Sequence, residues 1–327
     1  MSKGHAAPLI ALLLTALTAF AAAPACAQSW PNRPVRLVVS YPPGGGADVV
    51  ARILGPKLSE SLGQQFVVEN RGGAAGVIGA EAVAKSLPDG YTVLLDASAH
   101  GVNPALQAKL PYDTMKDLAA VSLLVRVPNI VVVTPSLPVG SIKELIALAK
   151  AKPGALSFGS SGNGSAQHLA AELFKAQAGV YMVHIPYRGG GAAMIDVMSG
   201  QIPLMFANMA SALPHVKAGK LKPLATTGAQ RPAAMPDLPT VAQAGPLPGY
   251  EVYEWNGLFV PGGTPQAIIT RLHDETVKAL ALPDVRDKLA NLGAEVVAST
   301  PAELDRYRSN EIARWTVIIK RANIKAE

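Results

Sequence analysis

One glycine-rich loop of this 327-residue chain has the composition of an anion-binding site. It runs from Ser40 to Asp48, follows a β-branched run and leads into a helical pattern. Glycines let backbone amides approach a ligand closely, and a helix N-terminus adds partial positive charge, so the loop suits a carboxylate. The alternative is a tight strand-to-helix turn in which Asp48 only caps the helix. The candidate ligand contacts in this loop are Tyr41, Pro43, Gly44, Gly45, Gly46 and Asp48.

The spacing of this loop argues against nucleotide binding. Counted from Gly44, Val49 occupies the position where a dinucleotide fingerprint needs its last glycine. No Lys-Ser or Lys-Thr pair follows the glycines, as a phosphate-binding P-loop requires.

A second loop of similar composition runs from Phe158 to Ser165 and also precedes a helical pattern. Hydroxyls and amides at a helix start again suit a carboxylate, so two such loops on two lobes would clasp one ligand. For His168 in this segment, the alternative is an exposed side chain or one that pairs with Glu172, one helical turn further on. The candidate contacts here are Ser160, Ser161, Asn163, Gly164, Ser165 and His168.

Two more positions are candidate ligand contacts. Arg188 follows the strand that contains His184, and its guanidinium could bind a carboxylate with two hydrogen bonds or instead pair with Asp196. Ser98 ends another predicted strand, and ligands of open α/β sheets gather at the carboxyl ends of strands.

The residue patterns argue against an enzyme. Ser161 is not in a Gly-x-Ser-x-Gly elbow, and the sequence has no His-Glu-x-x-His motif. The only cysteine, Cys26, lies in a predicted export signal, so the mature chain has no thiol nucleophile or thiolate metal site. Neither a cofactor nor a metal is expected. An exported hydrolase built from dispersed Ser, His and Asp residues remains a rival, which loss of turnover in Ser161→Ala would favour.

Short β-branched runs alternate with helical patterns along the chain, which indicates an α/β fold with a mostly parallel sheet. By their pattern the runs are buried central strands. They are Val35 to Val39, Phe66 to Val68, Tyr91 to Leu95, Ile130 to Val133, Met182 to Ile185 and Leu258 to Val260. Capping boxes predict helix starts at Ser141 and Thr300. In the last helix, apolar residues at helical spacing predict packing along a domain: Leu304, Tyr307, Ile312, Trp315 and Ile319.

The first residues have the pattern of an export signal. Lys3 supplies positive charge, Leu9 to Phe20 is nearly all apolar, and Ala25 to Ala27 offers small residues for a peptidase. Removal of residues 1–27 as a signal peptide leaves a mature chain that begins at Gln28. Lipid attachment at Cys26 is the alternative.

The length of the remaining chain suits two domains. Stretches rich in Pro and Gly, near Arg126 to Pro128 and from Arg231 to Gly249, mark where the chain would cross between lobes. The first lobe is expected at residues 28–125 plus 245–327, and the second at 126–244. The net charge of +6 is spread over scattered Lys and Arg residues, so no nucleic-acid partner is expected.

Five motifs follow one another in order along the chain: Tyr41 to Arg52, Glu69 to Gly76, Pro88 to Thr92, Gly159 to Leu169 and Pro186 to Gly190. Together they resemble the tripartite tricarboxylate transporter substrate-binding family, also called Bug receptors, over essentially the whole mature chain. The resemblance implies a periplasmic binding protein type II fold, with two α/β lobes, a hinge and an interlobe cleft that closes around a small organic acid.

The resemblance also implies how the ligand is held and where it goes. Backbone amides of the loops Gly44 to Asp48 and Ser160 to Ser165, with ordered waters, would hold the carboxylate. A monomeric receptor would deliver it to the membrane permease subunits of a tripartite tricarboxylate-type transporter; a rival role is a solute sensor for a membrane signalling protein. Pro203 and Ala207 stand where the family commonly has acidic residues, which argues against an ammonium-bearing ligand.

Overall fold

The computed structural model describes residues 30–107, 109–187 and 189–325. The predicted export signal, Cys26 and Arg188 therefore lie outside the described residues. No helix in the described part of the chain combines the length and the apolar character that a membrane span needs.

Strands and helices alternate through the first part of the chain, up to a small helix before the long fourth strand. These elements are β1 (Val35–Val39), α1 (Gly46–Leu62), β2 (Phe66–Asn70), a 3-10 helix (Ala74–Gly76), α2 (Val77–Ala84), β3 (Thr92–Ala97), a 3-10 helix (Ser98–Gly101) and α3 (Asn103–Leu106).

The middle of the chain repeats this alternation, and the last part adds a long strand and three helices. The middle elements are β4 (Leu118–Val133), α4 (Ile142–Ala151), β5 (Ser157–Ser160), α5 (Ala166–Ala178), β6 (Val183–Pro186), α6 (Gly190–Ser199), β7 (Leu204–Asn208), α7 (Met209–Lys217), β8 (Lys222–Thr226) and α8 (Val241–Ala244). The last are β9 (Tyr253–Pro261), α9 (Gln266–Ala281), α10 (Pro283–Asn291), β10 (Glu295–Val296) and α11 (Pro301–Ala322).

One strand joins two halves of the sheet, whose order is β2-β1-β3-β9-β4-β7-β5-β6, with β8 and β10 also paired to β4. The first part of β4, from Leu118 to Pro128, pairs with β9, and the rest, from Asn129, pairs with β7 and β8. We call the half with β1, β2, β3 and β9 the first lobe, and the half with β5 to β8 the second lobe. The predicted two-lobed α/β architecture is confirmed.

Two details of the predicted sheet are wrong. The sheet is mixed and not mostly parallel, because β9 pairs antiparallel with β3 and β4, and β4 pairs antiparallel with β7 and β8. The runs at Phe66 to Val68 and Met182 to Ile185 are not central strands: β2 and β6 end the sheet on either side, where a strand has one neighbour and more contact with water.

The predicted helix starts are present. Thr300 and Glu303 form the complete capping box of α11, in which each side chain bonds the other residue's amide. Ser141 accepts a hydrogen bond from the amide of Glu144, but the Glu144 carboxylate bonds the Gly140 amide, so only half of that box forms. In α11 the predicted apolar face packs inward, with Leu304, Trp315 and Ile319 buried.

Candidate functional site

The loop after β1 is held in shape by Asp48, in the first turn of α1. Its Oδ2 accepts hydrogen bonds from the Gly44 amide at 2.8 Å and from Arg52 Nε at 2.9 Å. Its Oδ1 accepts one from Asn70 Nδ2, on β2, at 2.8 Å. Burial disfavours the charge of Asp48, but the hydrogen bonds from Arg52, Gly44 and Asn70 outweigh this cost and lower its pKa. Both carboxylate oxygens of Asp48 are thus occupied by donors from the protein.

The start of α1 leaves backbone donors for a ligand. The first backbone hydrogen bond of α1 runs from the Val49 amide to the Gly45 carbonyl, at 3.0 Å. The amides of Gly46 and Ala47 precede it and have no acceptor within the helix. Gly46 is exposed, as are Pro43 and Gly44. The N-terminus of α1 can therefore bind an oxyanion through backbone amides and the helix dipole.

The loop after β5 bonds largely to itself and to α5. The Ser161 amide donates to Gln167 Oε1 at 2.8 Å, and the Gly162 amide donates to Ser160 Oγ at 3.1 Å. Ser165 caps α5, since its hydroxyl accepts from the His168 amide at 3.2 Å. These bonds use several of the amides that were expected to face a ligand. In this part of the described chain the half-buried side chains of Ser161 and Asn163 have no internal hydrogen-bond partner.

Two histidines support this second loop. His168 is 4% exposed, and its Nδ1 accepts a hydrogen bond from the Gly164 amide at 3.1 Å. Its ring stacks on His184 of β6, with centroids 3.7 Å apart, and His184 Nε2 lies 2.7 Å from Ser160 Oγ. Burial and the neighbouring His168 lower the pKa of His184 to about 3. His168 Nε2 lies 3.7 Å from Glu172, the pairing that the sequence offered as the alternative to ligand contact.

The second loop also contacts the first lobe. A Cβ atom placed on Gly164 would stand 2.3 Å from Leu106 Cδ2 and 3.7 Å from Val102 Cγ1. Both residues belong to the segment that follows β3 and begins at Ser98, which is 7% exposed. This packing brings the carboxyl end of β3 in the first lobe against the carboxyl end of β5 in the second.

A carboxyl group from β9 lies between the two lobes. Glu254 Oε2 accepts a hydrogen bond at 3.0 Å from Asn208 Nδ2, at the carboxyl end of β7. Its Oε1 lies 3.5 Å from the position that a Cβ on Gly46 would occupy. Burial raises the pKa of Glu254, although the hydrogen bond from Asn208 favours the ionised form. Glu254 also contributes to raising the pKa of Tyr41, after burial and Asp96.

Two buried amide side chains near Glu254 have unused hydrogen-bonding capacity. Asn256, 2% exposed, lies two residues beyond Glu254 and on the same face of β9. Asn129, which is fully buried, pairs across the sheet with Asn208. Among the described residues neither Asn256 Nδ2 nor either side-chain atom of Asn129 has a partner. Buried amides normally have partners, so the unused donors and acceptors here are suited to a water molecule or a polar group of a ligand.

The structure places the predicted loop residues from Tyr41 to Asp48 at the start of α1 in the first lobe, and those from Ser160 to His168 at the start of α5 in the second. The sequence interpretation missed Glu254, Asn208, Asn129 and Asn256. Its strand prediction at Leu258 to Val260 began too late, because Tyr253 to Asn256 is not an apolar run. The alternation of polar and aromatic residues there was the available signal. No group of three or more His, Cys, Asp or Glu residues in the described ranges is arranged to hold a metal ion.

Comparison with known proteins agrees with this architecture. Protein BugT of Bordetella pertussis is 38% identical over 310 residues, which cover 94% of this chain and 95% of that protein. The structure of Rpa4515 from R. palustris with adipate has a TM-score of 0.83 and 39% identity, and the match covers 90% of this chain and 99% of that one. The structure of MatC from Rhodopseudomonas palustris with bound malate has a TM-score of 0.79 and 33% identity, with 89% and 100% covered.

The sequence profile of one family matches most of the chain. Its description is tripartite tricarboxylate transporter family receptor, and it aligns with residues 50–324. Together with the relative at 38% identity, this match shows that the chain belongs to the receptors of the tripartite tricarboxylate transporter family, as its five motifs indicated.

Proposed function

We propose that this protein is a periplasmic receptor that binds a small carboxylate between its lobes and delivers it to the permease subunits of a tripartite tricarboxylate-type transporter. The observation that carries the proposal is the N-terminus of α1, where Asp48 fixes the loop and the amides of Gly46 and Ala47 have no acceptor in the helix. Related structures with adipate and malate support a linear dicarboxylate or hydroxy acid as the ligand.

The proposed ligand contacts keep both loops. In the first lobe they are Tyr41, Gly44, Gly45 and Gly46, with Pro43 at the rim, Asp48 as a support and Ser98 at the end of β3. In the second lobe they are Asn163, Ser165 and the first turn of α5, with Ser160, Ser161, Gly164 and His168 shaping the loop. Arg188 remains a prediction, because it lies outside the described residues. We add Glu254 of β9 and Asn208 of β7, which are joined by a hydrogen bond next to the start of α1.

The proposed lobe boundaries follow the change of strand partners. The chain enters the second lobe at Pro128, since the next residue, Asn129, pairs with β7. It returns at Val252, because Tyr250 still packs on Phe174 and donates a hydrogen bond to the Ala170 carbonyl. These crossings lie slightly later in the chain than the sequence predicts, and the two linking segments form the proposed hinge.

We propose that the receptor binds its ligand without turnover and acts as a monomer after removal of residues 1–27. The only contact that suggests a nucleophile in the described site is Ser160 Oγ at 2.7 Å from His184 Nε2. Ser160 is fully buried, and a histidine whose pKa is about 3 is a poor general base near neutral pH. Turnover of an ester or amide panel by the purified protein would contradict this part of the proposal.

A thermal-shift screen tests the proposal. Protein exported to the periplasm is partly unfolded and refolded to remove copurified ligand, then heated with mono-, di- and tricarboxylates, aromatic acids and amino acids. A ligand that binds only the folded state raises the Tm as its concentration rises. We expect a dose-dependent shift with one class of carboxylate. A folded protein whose Tm does not respond to any carboxylate would contradict the receptor function.

A further inference from the structure

Glu254 is an acidic group in a cleft that is suited to bind acids. It approaches from β9, and its Oε1 faces the N-terminus of α1, 3.5 Å from the Cβ position of Gly46. The amide of Asn208 holds the other oxygen at 3.0 Å, so the carboxyl group is fixed in place between the two lobes. A carboxylate bound to the amides of Gly46 and Ala47 would lie next to it.

The described residues around Glu254 offer no positive charge. Gly46 faces it from α1, the neutral Asn208 from β7, and the apolar Val127 is its partner on β4. Asp48 and Arg52 of α1 form an ion pair with each other, and Asp48 also accepts a hydrogen bond from Asn70. Among the described residues Glu254 has no ion pair.

Among the described residues, the titratable group that interacts electrostatically with Glu254 is Tyr41. Burial, Asp96, Glu254 and Tyr112 raise the pKa of Tyr41, so its hydroxyl stays neutral at physiological pH. Because the described residues around Glu254 supply no cation, a ligand carboxylate beside an ionised Glu254 would place two negative charges together at this point of the site. Such pairs of carboxylates in one site share a proton, because the charge of the first strongly disfavours the charge of the second.

We propose that Glu254 is a ligand-contacting residue which binds the carboxylate as a neutral acid, so that each capture takes one proton from solvent. This inference rests on the proposed function and extends it. The proton binds Oε1 of Glu254, which then donates a hydrogen bond to an oxygen of the ligand carboxylate. Protonation of Glu254 thus removes the repulsion between the two carboxylates. It also adds a hydrogen-bond donor to the amides at the N-terminus of α1. Release of the ligand returns the proton.

The sign of the pH dependence follows from linkage. A bound anion raises the pKa of Glu254 above its value in the ligand-free protein, where burial already raises it. Protonation and ligand binding therefore favour each other. Affinity is highest below the ligand-free pKa, falls by about tenfold per pH unit up to the ligand-bound pKa, and is constant again above it.

Titration calorimetry of the full exported protein with adipate tests this, from about pH 5 to about pH 8 and in buffers of different ionisation enthalpy. Adipate is the probe because a related structure holds it. For the native protein we expect uptake of about one proton per adipate where the affinity changes with pH. Because glutamine copies the shape of a neutral acid and keeps a donor, Glu254→Gln should take up no proton at this site. It should bind adipate near pH 8 at least about tenfold more tightly than the native protein does.

The matched control is Glu251→Gln, which removes the same charge three residues earlier. Glu251 Oε1 lies 3.8 Å from Arg126 Nη1. The Glu251→Gln variant should therefore keep the native proton uptake. Unchanged proton uptake and pH profile in Glu254→Gln, or weaker binding at every pH by a variant with a native melting curve, would overturn the proposal. Failure of both the native protein and Glu254→Gln to bind adipate or any other carboxylate is a different result, which would contradict the receptor function itself.

Discussion

The carboxylate of Asp48 connects three parts of the first lobe. It accepts hydrogen bonds from the Gly44 amide in the loop, from Arg52 in α1 and from Asn70 in β2. Asp48 is 2% exposed, so its hydrogen bonds are made to the protein rather than to water. The shape of the ligand-binding loop thus depends on one side chain that does not itself need to contact the ligand.

Asp48→Asn should therefore weaken both folding and ligand binding. We expect a loss of about 1 kcal/mol in the free energy of unfolding at neutral pH, since the variant keeps one acceptor and Arg52 is exposed to screening by water. The pKa of Asp48 is lowered, so its contribution is complete above the unfolded value of about 3.9 and is lost as pH falls through the folded value. Urea unfolding of both proteins at neutral and strongly acidic pH measures the difference.

The control for this charge is Asp89→Asn. Asp89 pairs with Arg33, and both side chains are well exposed, at 37% and 61%. An exposed pair of this kind contributes about 0.5 kcal/mol or less. A deficit in Asp48→Asn that is no larger than that of Asp89→Asn, or that persists unchanged in acid, would show that Asp48 does not hold the loop as described.

At the scale of elements, α1 contains two glycines at which alanine substitution should have different effects. One should affect ligand binding, and the other should affect only stability. A Cβ on Gly46 would point toward Glu254 Oε1, at 3.5 Å, and so into the cleft. A Cβ on Gly55, in the middle of the helix, would meet Val68 and the Phe66 carbonyl at 3.7 Å, an ordinary packing distance. Both positions accept a methyl group, but only the first lies where a ligand is expected.

Gly46→Ala should lower the affinity for a carboxylate by roughly tenfold or more, the equivalent of about 1.4 kcal/mol, while the Tm stays the same or rises. Gly55→Ala should leave the affinity unchanged and stabilise the protein by up to about 1 kcal/mol, because alanine is the better helix former. Calorimetric titration and thermal melts measure the two effects. Equal affinities in both variants would place the ligand away from the N-terminus of α1.

Gly164 is a less suitable position for such a test. It has a φ of +73°, and a Cβ there would collide with Leu106 at 2.3 Å. A substitution at Gly164 would therefore disturb the backbone and the contact between lobes as well as any ligand contact. Loss of binding in such a variant would not identify the ligand site.

The sequence predicts the elements that carry the site better than it predicts the contacts within the site. β1 has its predicted bounds, and the loops after β1 and β5 stand where their glycines and hydroxyls indicate. The partners of these loops come from other strands: His184 reaches Ser160 because β5 and β6 pair in register, and Asn208 reaches Glu254 from β7. Pairing of distant strands has no local sequence signal, so these contacts could not be predicted from spacing.

At the scale of the whole molecule, β4 connects the lobes and α11 packs against both of them. Trp315 and Ile319 of α11 pack in the core of the second lobe, while Leu304 packs with Trp255 in the first. The Pro- and Gly-rich stretches indicated crossings, but the sequence could not show that β4 itself is the connection. Because its two parts pair with different strands, the lobes share one continuous sheet, and the change of partners falls between Pro128 and Asn129.

Leu106 and Val102, which follow β3, pack against Gly164 of the second lobe, and we expect closure of the lobes to depend on this contact. Leu106→Ala should reduce this contact and so lower the fraction of molecules in the closed, binding-competent state. The apparent Kd rises as that fraction falls. A loss of about 1 kcal/mol of closure energy corresponds to an affinity about fivefold lower, and the radius of gyration of the ligand-free variant should exceed that of the native protein.

Small-angle X-ray scattering with and without adipate, together with calorimetric titration below the Tm, measures both quantities. Leu87→Ala is the control, because Leu87 is 74% exposed and is not part of the contact with Gly164. Saturating adipate should bring the scattering of Leu106→Ala back to that of the native protein, since ligand that bridges both lobes favours the closed state. A lower affinity without a change in scattering would mean that Leu106 acts on the ligand site directly, and an unchanged affinity would mean that closure does not limit binding.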